Sequence, residues 1–161
     1  MASRLERFEA IARAAARLAP SKAPTAEPPT LHPFDTRNVH PGLPPKVRKL
    51  FDDGHFADAT YTAFKYLDKK VQQHSGVRDS GYKLMMEAFD DAKPKLQLTP
   101  LKTMSEVDEQ KGYRFVFAGS MWAIRNRRGH EFDVVDDPDT CLDHLSFVSM
   151  LLRRLEQSGY K

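Results

Sequence analysis

The chain has 161 residues, of which 40% are hydrophobic and 29% charged, with a formal net charge of +3 and a pI near 9.0. That length suits one domain with a substantial core plus appendages. The apolar runs are too short to span a bilayer, and the mild positive charge permits a polyanionic partner without arguing for one. The single cysteine, Cys141, excludes an intramolecular disulfide framework and fits a reducing cytoplasm. It stands among apolar neighbours and reads as a small core residue, not a nucleophile. The start of the chain carries charges throughout and does not read as a secretory signal.

Residues 1–18 read as an amphipathic helix in which Leu5, Phe8, Ala12, Ala15 and Leu18 share a face, with Arg4, Arg7, Arg13 and Arg17 largely outside it. Such a helix can meet a membrane or nucleic acid, but more often covers a groove on its own fold or on a second subunit. Eight of the eleven prolines fall between Pro20 and Pro45, so residues 19–37 read as an extended linker and the folded domain as 38–161. Residues 46–51 predict a short helix ended by Asp52-Asp53-Gly54. A longer one follows over 55–74, with Phe56, Thr60, Ala63, Phe64, Leu67 and Val71 on one face and Gly76 as its stop. Residues 82–89 predict a third helix. Residues 90–103, with Pro94 and Pro100, read as a loop in which Leu96-Gln97-Leu98 makes a brief extended contact.

Ser105-Glu106-Val107-Asp108 has the form of a capping box opening a helix over 105–125. Phe115, Val116, Phe117, Ala118, Met121, Trp122 and Ala123 give this helix apolar residues on all sides, which predicts a rod surrounded by other helices. The polar stretch Arg125-Asn126-Arg127-Arg128-Gly129-His130-Glu131 reads as a surface turn after it. Asp137-Pro138 then supplies an N-cap and a first-turn proline. The last helix runs to about Gln157, with Leu142, Leu145, Val148, Leu152 and Leu155 three and four residues apart. The fold class is therefore all-α, a helical bundle.

No phosphate-binding Gly-rich loop, paired cysteines or His-Glu-x-x-His is present, so neither a metal nor another cofactor is called for. His144, beside Asp143, lies on the last helix and reads as an exposed polar position that could face the turn. Arg125, Asn126 and His130 remain. Cations at a helix C-terminus are expected in any case, because they offset the dipole and satisfy the last carbonyls. The same groups also have what RNA cleavage without a metal requires. The ribose 2′-hydroxyl is the nucleophile, an imidazole near pKa ~6.5 moves protons at neutral pH, and a guanidinium holds the phosphate and the charge growing on it. One protomer offers a single histidine in this stretch, and a two-fold dimer would supply the second.

From about His40 to Leu155 the chain resembles the Ymh proteins, small bacterial and phage-associated proteins, and through them the HEPN superfamily. The residues that carry the resemblance include His40-Pro41, Leu50-Phe51-Asp52-Asp53-Gly54-His55-Phe56, Ala63-Phe64-Lys65, Phe117-Ala118-Gly119, Arg125-Asn126-x-Arg128-x-His130-Glu131 and Leu151-Leu152-Arg153-Arg154-Leu155. Arg127 and Gly129 stand where the Ymh pattern has proline and alanine. The resemblance implies a HEPN-like bundle, often dimeric, and a metal-independent endoribonuclease in a toxin–antitoxin or phage-defence setting. Arg125, Asn126 and His130 would be catalytic, Arg127 and Arg128 would meet the RNA phosphates, and Glu131 would support them. Expected partners are RNA, a second copy of the chain and an antitoxin or defence-system protein, in the cytoplasm and away from membranes. Two alternatives stay open: a non-catalytic HEPN module binding RNA, a nucleotide or a protein, and a structural dimerisation domain.

Overall fold

The computed structural model describes residues 31–130 and 134–161 together with Leu5, Phe8, Glu9 and Arg13, and of His130 it gives the backbone. The chain divides into two units, Met1–Leu31 and His32–Lys161. In the first, the described residues Leu5, Phe8, Glu9 and Arg13 are helical, Leu5 and Phe8 are exposed, and Arg13 pairs with Glu9 at 3.2 Å. The remainder of the amphipathic helix read over 1–18, and residues 19–30 of the linker read over 19–37, lie outside the described residues.

In the second unit every regular element is helical among the described residues: α1 (Pro33–Thr36), α2 (Pro45–Asp52), α3 (Phe56–Ser75), α4 (Gly81–Ala88), α5 (Met104–Ser120), a π-helical segment (Met121–Asn126), α6 (Arg127–His130) and α7 (Pro138–Gln157). This is an all-α bundle. None of the described helices is long and apolar enough to cross a membrane. The hub is α3, which packs against α2, α4, α7, the π-helical segment and α6. The sequence spacing explains why: Ala59, Ala63, Phe64, Leu67 and Val71 recur every three or four residues and are all fully buried. Leu145, Val148, Leu151 and Leu155 of α7 and Phe117, Ala118 and Met121 from α5 onward complete the core. Each large side chain taken out of water there contributes about 1.5–3 kcal/mol.

The helix ends follow their chemistry. Gly76, at φ +70°, takes the left-handed cap that stops α3. Asp137 accepts the Thr140 backbone N–H at 2.9 Å with Pro138 at the first helical position, and that N–H holds the Asp137 carboxyl below its usual range. The capping box of α5 is present but begins two residues earlier than the Ser105 start read from sequence. Thr103 Oγ1 accepts from the Glu106 N–H, and Glu106 Oε2 accepts from the Thr103 N–H, each at 3.2 Å. Two hydroxyl residues precede acids at the right spacing, and the pair Thr103/Glu106 wins because Glu106 also accepts the Lys102 N–H at 2.6 Å.

Two other expectations change. Phe34 of α1 is buried against Phe51 at 5.2 Å between ring centroids, and His32 Nε2 meets Asp52 Oδ1 at 2.8 Å. The folded unit therefore begins at His32, inside the stretch read as linker, because an aromatic among prolines finds an aromatic pocket. The central helix is not enclosed on all sides either. Phe115 is 52% exposed and Trp122 64% exposed, and Val116 is exposed as well. Only Gln110, Phe117, Ala118, Ser120 and Met121 of this rod are buried. Gln110 ties the preceding loop to it, donating to the Phe89 and Leu96 carbonyls and accepting the Leu98 N–H at 2.8 Å. That single amide supplies the extended contact of Leu96-Gln97-Leu98 in place of a strand.

Truncation separates the two readings of the front boundary. A chain starting at residue 32 should melt cooperatively near the temperature of the full chain, whereas one starting at residue 38 should lose about 3 kcal/mol in urea unfolding, as expected for removing a buried aromatic. Equal stability of the two truncations would return α1 to the linker.

Candidate functional site

Residues 125–131, read as a surface turn, are helical as far as described. The α-helical ladder of α5 widens into the π-helical segment at Met121, and this segment carries Arg125 and Asn126 before α6 resumes with Arg127 and ends at His130. A π-helical turn is less stable than the α-helix it interrupts and occurs often at functional sites. It brings consecutive side chains into line here: Arg125 Nη1 donates to Asn126 Oδ1 at 3.1 Å.

The Arg125 guanidinium is held from three sides. Its Cζ lies 5.6 Å from the centroid of the Tyr61 ring, within cation–π range. Its Nη2 is 3.9 Å from Asp68 Oδ2, and Gly81 passes beside it, so that a Cβ built there would stand 3.8 Å from Nη1. Asp68 is almost fully buried, and its other oxygen accepts the Gly81 N–H at 2.8 Å. Gly81 sits at φ +61°, a conformation that costs other residues about 1–2 kcal/mol. The guanidinium is thus confined, its side chain is 19% exposed, and among the described residues its buried Nε has no hydrogen-bond partner.

Arg128 has a different position. Its side chain is 6% exposed, and the guanidinium grips the Asp136 carboxylate, whose side chain is also 6% exposed, by Nε at 2.7 Å and Nη2 at 2.6 Å. Its Nη1 donates back to the Ile124 carbonyl at 2.9 Å. The sequence pairs Arg128 with Arg127 as a phosphate contact; in the structure its donor directions are already occupied inside the protein. Arg127 is exposed. Glu131 and the His130 side chain lie outside the described residues.

Three residues join the site without having been singled out. Tyr61 supports Arg125 and also packs where Gly129 has no side chain: a Cβ built on Gly129 would come 2.8 Å from Tyr61 Cε2. The glycine at this position thus admits the ring instead of loosening the backbone. Asp68 is the second; a carboxylate one residue from Leu67 and four from Phe64, on the inward side of α3, was the available signal. Asp136 is the third. His144, read as exposed, is half-buried with Nδ1 3.4 Å from Arg128 Nη2. Burial, and then the Arg128 charge, pull its pKa below the usual histidine value, with Asp136 and Asp143 acting the other way. Cys141 is buried against Thr60 and its thiol is pushed up to about 11 by burial, which leaves it unreactive. Among the described residues no group of three or more His, Cys, Asp or Glu side chains is placed to hold a metal ion.

The fold and site define an all-helical protein whose central helix changes to π geometry where it delivers a half-buried arginine. The chain belongs to the Hypoth_ymh family, described as a protein of unknown function, whose family model matches residues 37–155. No curated protein and no solved structure matches it.

The two arginines should separate in unfolding experiments. Arg128→Ala leaves the Asp136 carboxylate buried alone and should cost about 3–5 kcal/mol, while Arg125→Ala should cost far less. A small loss for Arg128→Ala would remove its structural role. His144 adds a pH dependence. With its folded pKa below the unfolded one, stability is complete above about pH 6.5 and falls as the pH drops through that value toward the lower folded pKa. Between pH 7.5 and 5.5 the melting temperature of wild type should therefore fall more than that of His144→Gln.

Proposed function

We propose that this protein is a metal-independent endoribonuclease of HEPN type, with Arg125, Asn126 and His130 as its catalytic residues. The observation that supports this best is the Arg125 guanidinium, braced by Tyr61 and Asp68 beside Asn126 while its side chain stays 19% exposed. A braced and accessible cation is what a phosphate undergoing displacement requires, because it need not be reoriented as charge develops. His130 ends α6, one helical turn beyond Asn126.

In the reaction, a base takes the proton from the ribose 2′-hydroxyl, whose oxygen attacks the adjacent phosphorus. The bond to the 5′-oxygen breaks, an acid protonates that oxygen, and the products are a 2′,3′-cyclic phosphate and a free 5′-hydroxyl. His130 serves as base or acid, Arg125 binds the non-bridging oxygens, Asn126 fixes the arginine and Arg127 adds an exposed phosphate contact. Glu131 supports the histidine. The second proton-transfer group comes from His130 of a second copy, which makes the active form a homodimer. The exposed Phe115 and Val116 of α5, flanked a turn away by Gly112 and Gly119, beside which a side chain would meet nothing, offer a face for that pairing. The biological setting this chemistry fits is a cytoplasmic toxin–antitoxin or phage-defence system, restrained by a protein partner.

A second reading is favoured by Arg128, whose commitment to Asp136 leaves fewer cations for substrate: a non-catalytic module that binds RNA or a protein partner. Cleavage of mixed RNA in EDTA distinguishes the two. Wild type should cut RNA but not DNA and leave cyclic phosphate ends. His130→Ala should lose about 10²–10⁴-fold, and Arg125→Lys about 10²-fold, since an ammonium does not reproduce the guanidinium fork. Equal cutting by wild type and His130→Ala would refute the assignment. Val116→Arg should convert a sedimenting dimer into an inactive, folded monomer; an active monomer would dispose of the shared site.

A further inference from the structure

Trp122 is the only tryptophan of the chain, and it is 64% exposed. A large aromatic is usually covered on folding. Trp122 is covered on one side only, where the Tyr82 ring stacks on it with centroids 4.4 Å apart and planes 25° from parallel. Two stacked rings with an open outer surface resemble an unfinished stack. The pair lies beside the arginine site: Tyr82 follows Gly81, the residue that passes Arg125 and Asn126, and Trp122 shares the π-helical segment with both.

Tyr82 also lines an open cleft of about 660 Å³ together with Lys83, Lys93, Lys95 and Arg114. Arg114 stands between two carboxylates, Asp90 at 2.8 Å and Asp91 at 2.7 Å. Lys83, Lys93 and Lys95 are exposed and make no ion pair among the described residues, and with Arg114 they give the cleft lining four cations against three acids, Asp79, Glu87 and Asp90. Cations along a groove with an aromatic surface at its mouth match a polymer of alternating phosphates and flat bases. Aromatic side chains stack unpaired bases of any identity, and lysines follow the backbone. A duplex keeps its bases inside its own stack and cannot use such a surface.

We propose that Trp122, backed by Tyr82, is a stacking platform for an unpaired base of single-stranded RNA, and that the strand continues along Lys83, Lys93 and Lys95. This deepens the ribonuclease reading: the base next to the phosphate on Arg125 rests on Trp122, so the enzyme selects single-stranded substrate without reading its sequence.

Because Trp122 is the only indole, its fluorescence reports on the platform directly. The full chain is titrated with a 2′-O-methyl single strand, which has no nucleophile and cannot be cleaved, and with the same sequence as a duplex. The single strand should quench Trp122 saturably and the duplex should not. With a labelled strand, Trp122→Ala should weaken binding about five- to hundredfold, Trp122→Phe should restore part of it, and Lys83→Ala should lower the salt slope by about 0.7. Equal quenching by duplex, or equal affinity of wild type and Trp122→Ala, would overturn the platform. So would an emission shift that follows protein concentration without RNA, which would assign the indole to the contact between copies. The two readings fail separately. Unimpaired RNA cleavage by Trp122→Ala removes the platform and keeps the enzyme, whereas quenching by a wild type that never cleaves RNA keeps the platform and removes the enzyme.

Discussion

Arg128 binds the chain on both sides of itself. One nitrogen returns to the Ile124 carbonyl in the π-helical segment, and two others reach forward to Asp136, next to the residue that caps α7. At 6% exposure for both partners this ion pair sits where removing one charge strands the other. It therefore ties the end of the central helix to the start of the last one. His144 lies against the same guanidinium and disfavours its own protonation there, so the clamp works with a neutral imidazole beside it.

Two buried carboxylates divide the arginines between them, and the distances define the division. Asp136 engages Arg128 by two bonds of 2.6 and 2.7 Å, leaving that guanidinium little to offer a ligand. Asp68 approaches Arg125 no closer than 3.9 Å and gives its better oxygen to the Gly81 N–H. Arg125 is consequently oriented by charge, by the Tyr61 face and by Asn126, without being satisfied among the described residues. Orientation without satisfaction is what separates a cation that can bind an anion from one that holds a fold together. The π-helical segment belongs to the same arrangement, since the irregular turn is stabilised by the contacts its side chains make with α3 and α4.

Much of the bundle was legible because its signals are local. Gly76, Asp137-Pro138 and the spacing of Ala63, Phe64, Leu67 and Val71 each act within a turn or two, and each end or face forms where the pattern puts it. The π-helical segment was not legible, because its residues are good α-formers and the widening follows from tertiary contacts. The role of Arg128 depends on Asp136 and that of Arg125 on Asp68, a residue on another helix, and no spacing rule links partners so far apart. The outer side of α5 was misread for a related reason: apolar side chains around a whole helix look the same whether the last neighbour is another helix of the chain or something outside it.

That outer side carries the remaining logic of the molecule. Phe115, Val116 and Trp122 keep apolar surface in water, and the glycines among them, Gly112 and Gly119, meet nothing that requires them to be small. Among the described residues Trp122 packs on Tyr82 alone of the aromatic rings, and nothing stands against the two glycines. Their position does distinguish them: they continue along the helix into the segment that holds Arg125. In the proposed reading this apolar surface, which ends at the braced Arg125, is one continuous contact with something outside the protomer. Val116, Gly112 and Gly119 suit the close approach of another helix. Trp122 stands at the edge next to Tyr82 and suits a flat ligand. In the proposed reading, one helix serves the core on its inner face, a second copy along its outer face and a single strand at its π-helical end.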